Sequence, residues 1–430
     1  MTHKNPNILG LSALVAPVIF VVKNNLLKLE MKNIILLTVL MLMSTIILRA
    51  QTDSIPSNLY FNSAEKMLMT NGNLKIGGYG EVHYNQPLSS DVMKNGTLDV
   101  HRFVMMMGYQ FNDRLQFVTE LEFEHVKEFY VEQAFMQYKL NRFINFRGGL
   151  ILTPMGIVNE YHEPTAFNGV ERPQIDNNIS PTTWREIGFG ITGVILPVSM
   201  KYQLYVMNGF NSFDGSAKIG GSSGLRGGRQ KGAESFVSSP NLSGKVEYFG
   251  IRGLNLGLAG YFGNTQSTLY NGIDKNDATA LAKADSSVVG ISMLGLDARY
   301  SIKGLKLTGQ FYYTGLSNTD QYNAFTKTKG GGNLGSSMFG YYVDLGYDVL
   351  RNAKTEMQLI PFLRYSNYDT HYTVPANIND NLAYQKSVYT TGLTYFLTKG
   401  AVLKADMQFV KNGTQDEYAK TFNAGFGIMF

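Results

Sequence analysis

Cysteine is absent from this 430-residue chain, which excludes disulfides, thiolate metal centres, cysteine nucleophiles and lipid attachment through an N-terminal cysteine. An excess of one charge is missing too. The 38 Lys and Arg face 33 Asp and Glu, and the basic residues are scattered instead of gathered into a stripe that tracks phosphates, so no nucleic-acid partner is expected. Past Gln51 no apolar run reaches the roughly 20 residues that a spanning helix needs. Any bilayer crossing by this part of the chain must be made by strands. Proline is sparse at 12 residues, against 45 Gly, 26 Tyr and 26 Phe. That is the composition of an ordered chain rich in turns and aromatics, neither disordered nor collagenous.

The N-terminal region carries an export pattern. Met31-Lys32-Asn33 gives a basic start, Ile34 to Leu48 an apolar run, and Ala50 a small residue before Gln51; this order predicts a secretory signal peptide over 31–50 with cleavage after Ala50. A second apolar stretch, Ile8 to Val22, contains Pro17, and residues 1–30 are read as an extension upstream of the true start at Met31. The expected organisation is then a periplasmic N-terminal segment at 51–72 and a barrel at 73–430.

After residue 73 the chain alternates apolar with polar at period two. Leu115, Phe117, Leu121 and Phe123 interleave with Gln116, Glu120, Glu122 and Glu124; Met200, Tyr202, Leu204 and Val206 interleave with Lys201 and Gln203. Alternation of this kind marks strands with one apolar and one polar face. The pattern predicts strands near 74–85, 97–111, 114–125, 129–140, 143–152, 184–195, 197–208, 241–250, 253–263, 288–301, 304–315, 337–350, 355–368, 384–397, 400–411 and 420–430, about sixteen in all. Short turns such as Asn112-Asp113 and Ile302-Lys303 alternate with longer loops at 153–183, 209–240, 264–287, 316–336 and 369–383. This asymmetry predicts an all-β fold: a closed antiparallel transmembrane barrel with short periplasmic turns, long extracellular loops and outer-membrane lipid around it. A soluble sandwich would hide its apolar face between two sheets and has no need of sixteen long strands. The last strand places Phe422, Phe426, Ile428 and the terminal Phe430 on one face, an assembly signal of the kind that the barrel-insertion machinery reads.

Several stretches carry a resemblance: Tyr79-Gly80-Glu81-Val82-His83-Tyr84, Asp99-Val100-His101-Arg102 through Phe111-Asn112-Asp113-Arg114, Glu120 to His125, Arg147-Gly148-Gly149 with Pro154, Gly156 and Asn159, His162-Glu163-Pro164, and Lys404-Ala405-Asp406. Together they resemble the phosphate-selective porin O and P family of Bacteroidetes-type bacteria. The resemblance implies a sixteen-stranded, usually homotrimeric porin with an infolded third extracellular loop, here 153–183. The basic residues of that family's phosphate site do not map onto particular positions of this chain.

Opposite the lipid-facing residues lie the expected pore-lining side chains. The basic ones include Arg102, Lys139, Arg147, Lys201, Arg299, Arg364 and Lys404, with Lys75, Lys245 and Lys306; the acidic ones include Glu81, Glu120, Glu122, Glu124 and Asp344, with Glu186, Glu247, Asp297, Asp348 and Asp406. A lining balanced in sign predicts weak ion selectivity or a transverse field between opposing walls. Strand direction would put Glu120, Glu122 and Glu124 toward an acidic mouth, with Lys139, Lys201, Lys306 and Lys404 below. Loop 153–183, with Glu160, His162, Glu163, Glu171, Arg172 and Asp176 beside Ile157, Val158 and Phe167, is long enough to be functional and is the expected constriction.

Enzyme motifs fail their context. Gly188-Phe189-Gly190-Ile191-Thr192-Gly193 matches a dinucleotide fingerprint inside a period-two strand, and Gly220-Gly221-Ser222-Ser223-Gly224 matches a nucleophile elbow inside a Gly/Ser-rich loop. His83, His101, His125, His162 and His371 lack metal-ligand spacing. The reading is therefore of passive diffusion of small hydrophilic solutes or ions, phosphate among them, with no catalytic residue, cofactor or metal. An adhesin-type barrel displaying 209–240 and 264–287 is the second class. An outer-membrane protease or lipase built on His162 and Asp176 is the third. Roughly 380 residues cannot hold both a plug domain and a 22-stranded barrel, which disfavours an energy-coupled receptor.

Overall fold

The computed structural model describes residues 56–89 and 91–430; the extension at 1–30, the signal peptide at 31–50 and the Ala50–Gln51 junction lie outside them. A short helix, α1 (Ser63–Met69), precedes the first strand. The strands are β1 (Leu74–Leu88), β2 (Thr97–Gln110), β3 (Leu115–Glu124), β4 (Glu128–Lys139), β5 (Asn145–Leu152), β6 (Arg185–Ile195), β7 (Met200–Met207), β8 (Asn211–Phe213), β9 (Asn241–Ile251), β10 (Leu254–Asn264), β11 (Gln266–Ser267), β12 (Gly290–Ile302), β13 (Leu305–Ser317), β14 (Ser337–Tyr347), β15 (Gln358–Thr373), β16 (Gln385–Thr398), β17 (Ala401–Asn412) and β18 (Ala419–Met429). Further helices lie in loops: α2 (Ile175–Asn178), α3 (Ala278–Asp285) and α4 (Thr319–Thr326).

All strands except β8 and β11 form a closed antiparallel barrel of sixteen strands, β1 pairing with β18 to complete it. The expected fold class and strand number are those observed. Closure removes the unpaired edges that an open sheet would expose. At the seam Phe430 N–H donates to the Gly78 carbonyl (2.9 Å) and Gly78 N–H donates to the Phe430 carbonyl (3.0 Å). The small β8 and β11 pair with each other in parallel, inside the loops.

The period-two pattern sorts side chains as the physics of a lipid-facing sheet requires. Leu204, Leu256, Leu294, Leu345, Leu363 and Leu403 are exposed outward, while Arg102, Glu120, Lys201, Lys245 and Asp344 are buried inside. Among the register shifts of the barrel, two β-bulges re-aim charged residues near the inserted loop. Glu81 pairs with Arg102 but Val82 pairs with Val100, leaving His101 opposite no residue; Glu120 pairs with Gln133 but Leu121 pairs with Val131, leaving Glu132 in the same position. An extra residue re-aims its neighbours, so adjacent polar residues on either side of each bulge both turn inward.

The interior is filled by chain. Met155, Ile175, Ile179 and Trp184 of the β5–β6 loop join Phe210, Tyr261, Met293 and Tyr312 in one apolar core, and Ala64 and Met67 of α1 join Tyr79, Val104, Met106 and Phe135 in another. These inward apolar side chains are docking surfaces for inserted segments, which would be unfavourable facing open water.

Candidate functional site

Two segments meet within the barrel. Loop 153–184 enters from the long-loop end, pinned at its neck by Asn159, whose side-chain amide donates to the carbonyls of Thr153 (2.8 Å) and Trp184 (3.0 Å) and whose oxygen accepts the Trp184 N–H (2.8 Å). From there it crosses to the far walls. Arg102 on β2 donates to the His162 carbonyl, Lys245 on β9 to the Gly156 carbonyl (2.6 Å), Arg364 on β15 to the Glu171 carbonyl (3.1 Å), and Val170 N–H donates to Asp406 on β17 (2.7 Å). From the opposite end, residues 56–72 form a strap. Asn58 donates to the carbonyls of Phe249 (2.7 Å) and Ile251 (2.9 Å) on β9, while Met67 of α1 seats against Gly108 on β2. A Cβ at Gly108 would lie 2.8 Å from Met67 Cγ, so a larger residue there would force the Met67 side chain to shift. Because β9 is seven strands from β1 around the sixteen-stranded barrel, the strap reaches across the opening. It touches the loop where Ser63 N–H donates to Glu163 (2.9 Å).

Many of the charged side chains between these segments are paired. Arg102 lies 2.6 Å from Glu81 and 3.8 Å from Glu122; Lys201 lies 2.7 Å from Glu65 and 3.3 Å from Glu247; Lys245 lies 3.0 Å from Glu160 and 3.1 Å from Asp297; Arg299 lies 2.9 Å from Glu247, and Arg364 lies 2.9 Å from Asp344. Pairing is what allows so many charges to be buried. Arg147 donates to Gln137 (2.8 Å), Lys139 is exposed at the short-turn end, and the Lys404 ammonium sits 3.8 Å from the centroid of the Phe167 ring.

His162 is a buried titratable group of the loop, its Nε2 2.8 Å from Tyr79 Oη and 3.5 Å from both Glu120 and Glu132. Burial opposes its charge, but the Glu132 and Glu120 carboxylates outweigh that and hold it up at about 10. Asp176 is separate. It accepts from Tyr312 (2.9 Å) and Gln310, and burial pushes it up to about 7. The two are therefore not brought together as an acid–base pair. Glu171, 3.2 Å from His83, is lowered to about 2, its hydrogen bond from His83 overcoming burial.

Open space remains on either side of the contact. A cavity of about 370 Å³ at the long-loop end is lined by Glu81, His83, His101, Glu124, Glu171 and Arg172 among others, and one of about 370 Å³ at the short-turn end by Glu65, Lys139, Arg147 and Lys201 among others. A third, of about 90 Å³, lies between Phe167 and the wall carrying Arg299, Asp344 and Arg364. The acidic mouth expected from strand direction is corrected here. Glu120 and Glu122 lie below, beside His162 and Arg102, so of the three only Glu124 borders the long-loop cavity, where it is joined by Glu81, Glu171, Arg172 and Arg226.

No family model matches the chain. An uncharacterized protein of Aquifex aeolicus (strain VF5) is 31% identical over 371 residues, covering 83% of this chain and 79% of its own. The chain belongs to that protein's family. Among solved structures it is similar to the outer membrane channel DcaP of Acinetobacter baumannii (TM-score 0.53, 12% identity, 83% of this chain and 97% of that one). It is also similar to the anion-selective porin from Comamonas acidovorans (0.52, 13%, 83% and 99%) and to Salmonella typhi OmpF in complex with daunomycin (0.52, 13%, 84% and 98%). At such identities the likeness is one of fold.

Family membership leaves the site to be read from its own residues, and two features escaped the sequence. The strap was expected simply as a periplasmic segment. The histidines, judged by spacing, showed no ligand pattern, whereas the fold gathers Asp99, His101 and His125 with their ligand atoms within 4.8 Å of one another, and likewise Glu120, Glu132 and His162. The signal was available in the hairpin: Arg102 pairs with Glu124, which sets residue 101 beside residue 125.

Proposed function

We propose that this protein is a bacterial outer-membrane diffusion channel for small hydrophilic solutes or ions, with loop 153–184 as its constriction, and that it carries out transport and not catalysis. The observation that carries the reading is a sixteen-stranded closed wall, apolar outside and lined inside by paired charges, narrowed by an inserted loop. The outward Leu and Phe residues form the band that bilayer hydrocarbon covers. The long-loop end is then extracellular and the short-turn end periplasmic. Assembly as a homotrimer, kinship with the phosphate-selective porins, and export by segment 31–50 with cleavage before Gln51 belong to the same reading, the last checked by N-terminal sequencing of protein from outer membranes.

Conductance in planar bilayers tests it: discrete channels with a reversal potential in a KCl gradient are expected. The strap favours one second reading, a loop-displaying barrel that does not conduct. Zero conductance both for the full barrel and for a chain lacking residues 56–70 would establish that reading.

A further inference from the structure

At the long-loop end, β2 and the β3–β4 turn hold three side chains in an arrangement that a diffusion channel does not require. His125 Nδ1 lies 2.7 Å and His101 Nδ1 lies 3.4 Å from the same oxygen of Asp99, Oδ2. Tetrahedral coordination at about 2.0 Å places neighbouring ligand atoms about 3.3 Å apart, so both histidines stand near that spacing from Asp99, and all three ligand atoms lie within 4.8 Å of one another before any ion enters.

Two departures from regular backbone build this convergence. His101 is the extra residue of the β2 bulge, which lets Asp99 and His101 face inward on one side of it and Arg102 and Val104 on the other. His125 and Val126 occupy the tight turn with φ of 52° and 67°. Both central positions of such a turn favour Asn-Gly, and a β-branched valine there is an outlier. Departures of this kind persist where the surrounding structure holds them, and they cluster at ligand sites. The second row is built as well. His83, locked between Glu81 (3.3 Å) and Glu171 (3.2 Å), stacks on the His101 ring at 4.5 Å between centroids and 10° between planes. That stack fixes the orientation of one ligand ring.

We propose that Asp99, His101 and His125 form a site for a borderline divalent transition-metal cation at the mouth of the barrel. Two imidazoles and one carboxylate suit Zn²⁺ and its neighbours, whereas Ca²⁺ asks for six to eight oxygens and Mg²⁺ for an octahedron of them. The His101 and His125 side chains also border the cavity of about 370 Å³, leaving a coordination position for water. His125, with 43% of its side chain exposed, gives the ion a way in from solution. The buried Glu120–Glu132–His162 group differs in offering no such access. The proposal is independent of whether the barrel conducts.

The test is metal binding by the full-length barrel in detergent, with Zn²⁺ content measured after equilibrium dialysis. One Zn²⁺ per chain is expected, undiminished by millimolar Ca²⁺ or Mg²⁺. His101→Asn and His125→Asn should each weaken binding by more than the roughly 10–100-fold that loss of an outer-shell partner costs, while His371→Asn leaves it unchanged. Cu²⁺ bound in place of Zn²⁺ should show coupling to two imidazole nitrogens by electron paramagnetic resonance. Heat-modifiable migration on gels confirms that each variant is folded. Absence of Zn²⁺ from the folded wild type, or full retention by folded His125→Asn, would overturn the proposal.

Discussion

Arg102 shows how single side chains hold this interior together. Wholly buried, it serves Glu81, Glu122 and the backbone of the inserted loop at once. Arg102→Met would take the guanidinium from Glu122 and leave Glu81 only His83 and Arg172, and breaking a buried pair in this way costs about 3–5 kcal/mol. A matching fall in the unfolding midpoint of the detergent-solubilised barrel is expected. Asp176 and His162 make stability depend on pH, with windows that differ. Burial raises Asp176 from 3.8 to about 7, so the folded state holds a proton that the unfolded chain releases. Its contribution is fully present below 3.8 and is lost as pH rises through about 7. His162, raised from 6.5 to about 10, also stabilises most at low pH, but its share is lost between those values. Thermal midpoints measured from pH 5 to pH 10 should fall across both windows, and Asp176→Asn should remove the fall below pH 7 while leaving the upper one. An unchanged lower limb in that variant would count against a neutral, buried Asp176.

Among the elements, the strap and the last strand make the clearest predictions. Residues 56–72 cross the short-turn opening and close on loop 153–184 through Ser63 and Glu163. Deleting residues 56–70 should therefore raise single-channel conductance while the sixteen-stranded wall, which shares no backbone ladder with the strap, stays folded. Equal conductance with and without the strap would show that solute bypasses it. At β18 the backbone of Phe430 exchanges both its hydrogen bonds with Gly78, so the terminal residue also takes part in closing the barrel. Loss of Phe430 removes the seam contact and the aromatic together. Accumulation of unassembled precursor in the periplasm is the expected result, read by cell fractionation.

For the whole molecule, pairing of the internal charges decides what the field at each mouth can be. Glu124 is the member of the Glu120, Glu122 and Glu124 series that borders the cavity at the long-loop end, where a free charge acts over about a Debye length, 10 Å at 0.1 M salt. Glu124→Gln should shift the reversal potential toward anions in dilute KCl and have little effect in concentrated KCl. Glu120→Gln and Glu122→Gln should act chiefly on stability, since their carboxylates are committed to Tyr79, Gln133 and the Arg102 and His162 charges. If Glu120→Gln alone moved the reversal potential as far as Glu124→Gln, the division between sealed and open charges would be wrong.

The barrel itself was legible in the chain because lipid on one side and polar groups on the other impose a strict period of two, and because closure follows from having no water to satisfy an edge. Strand number, the inward face of Glu120, Lys201 and Arg364, and the length of loop 153–183 all came from that local constraint. β15 runs on to Thr373, beyond its expected end at 368, where His371 meets Asn333 of another loop at 2.7 Å. Contacts of that kind leave no periodic trace. The same holds for the strap's path between β9 and β2, for the ion pairs that take Glu120 and Glu122 out of the mouth, and for the bulges at His101 and Glu132. Local alternation determined which face each strand side chain takes; only the tertiary structure decided which of the inward side chains meet, because those meetings depend on segments folding into the lumen and on single-residue shifts of register.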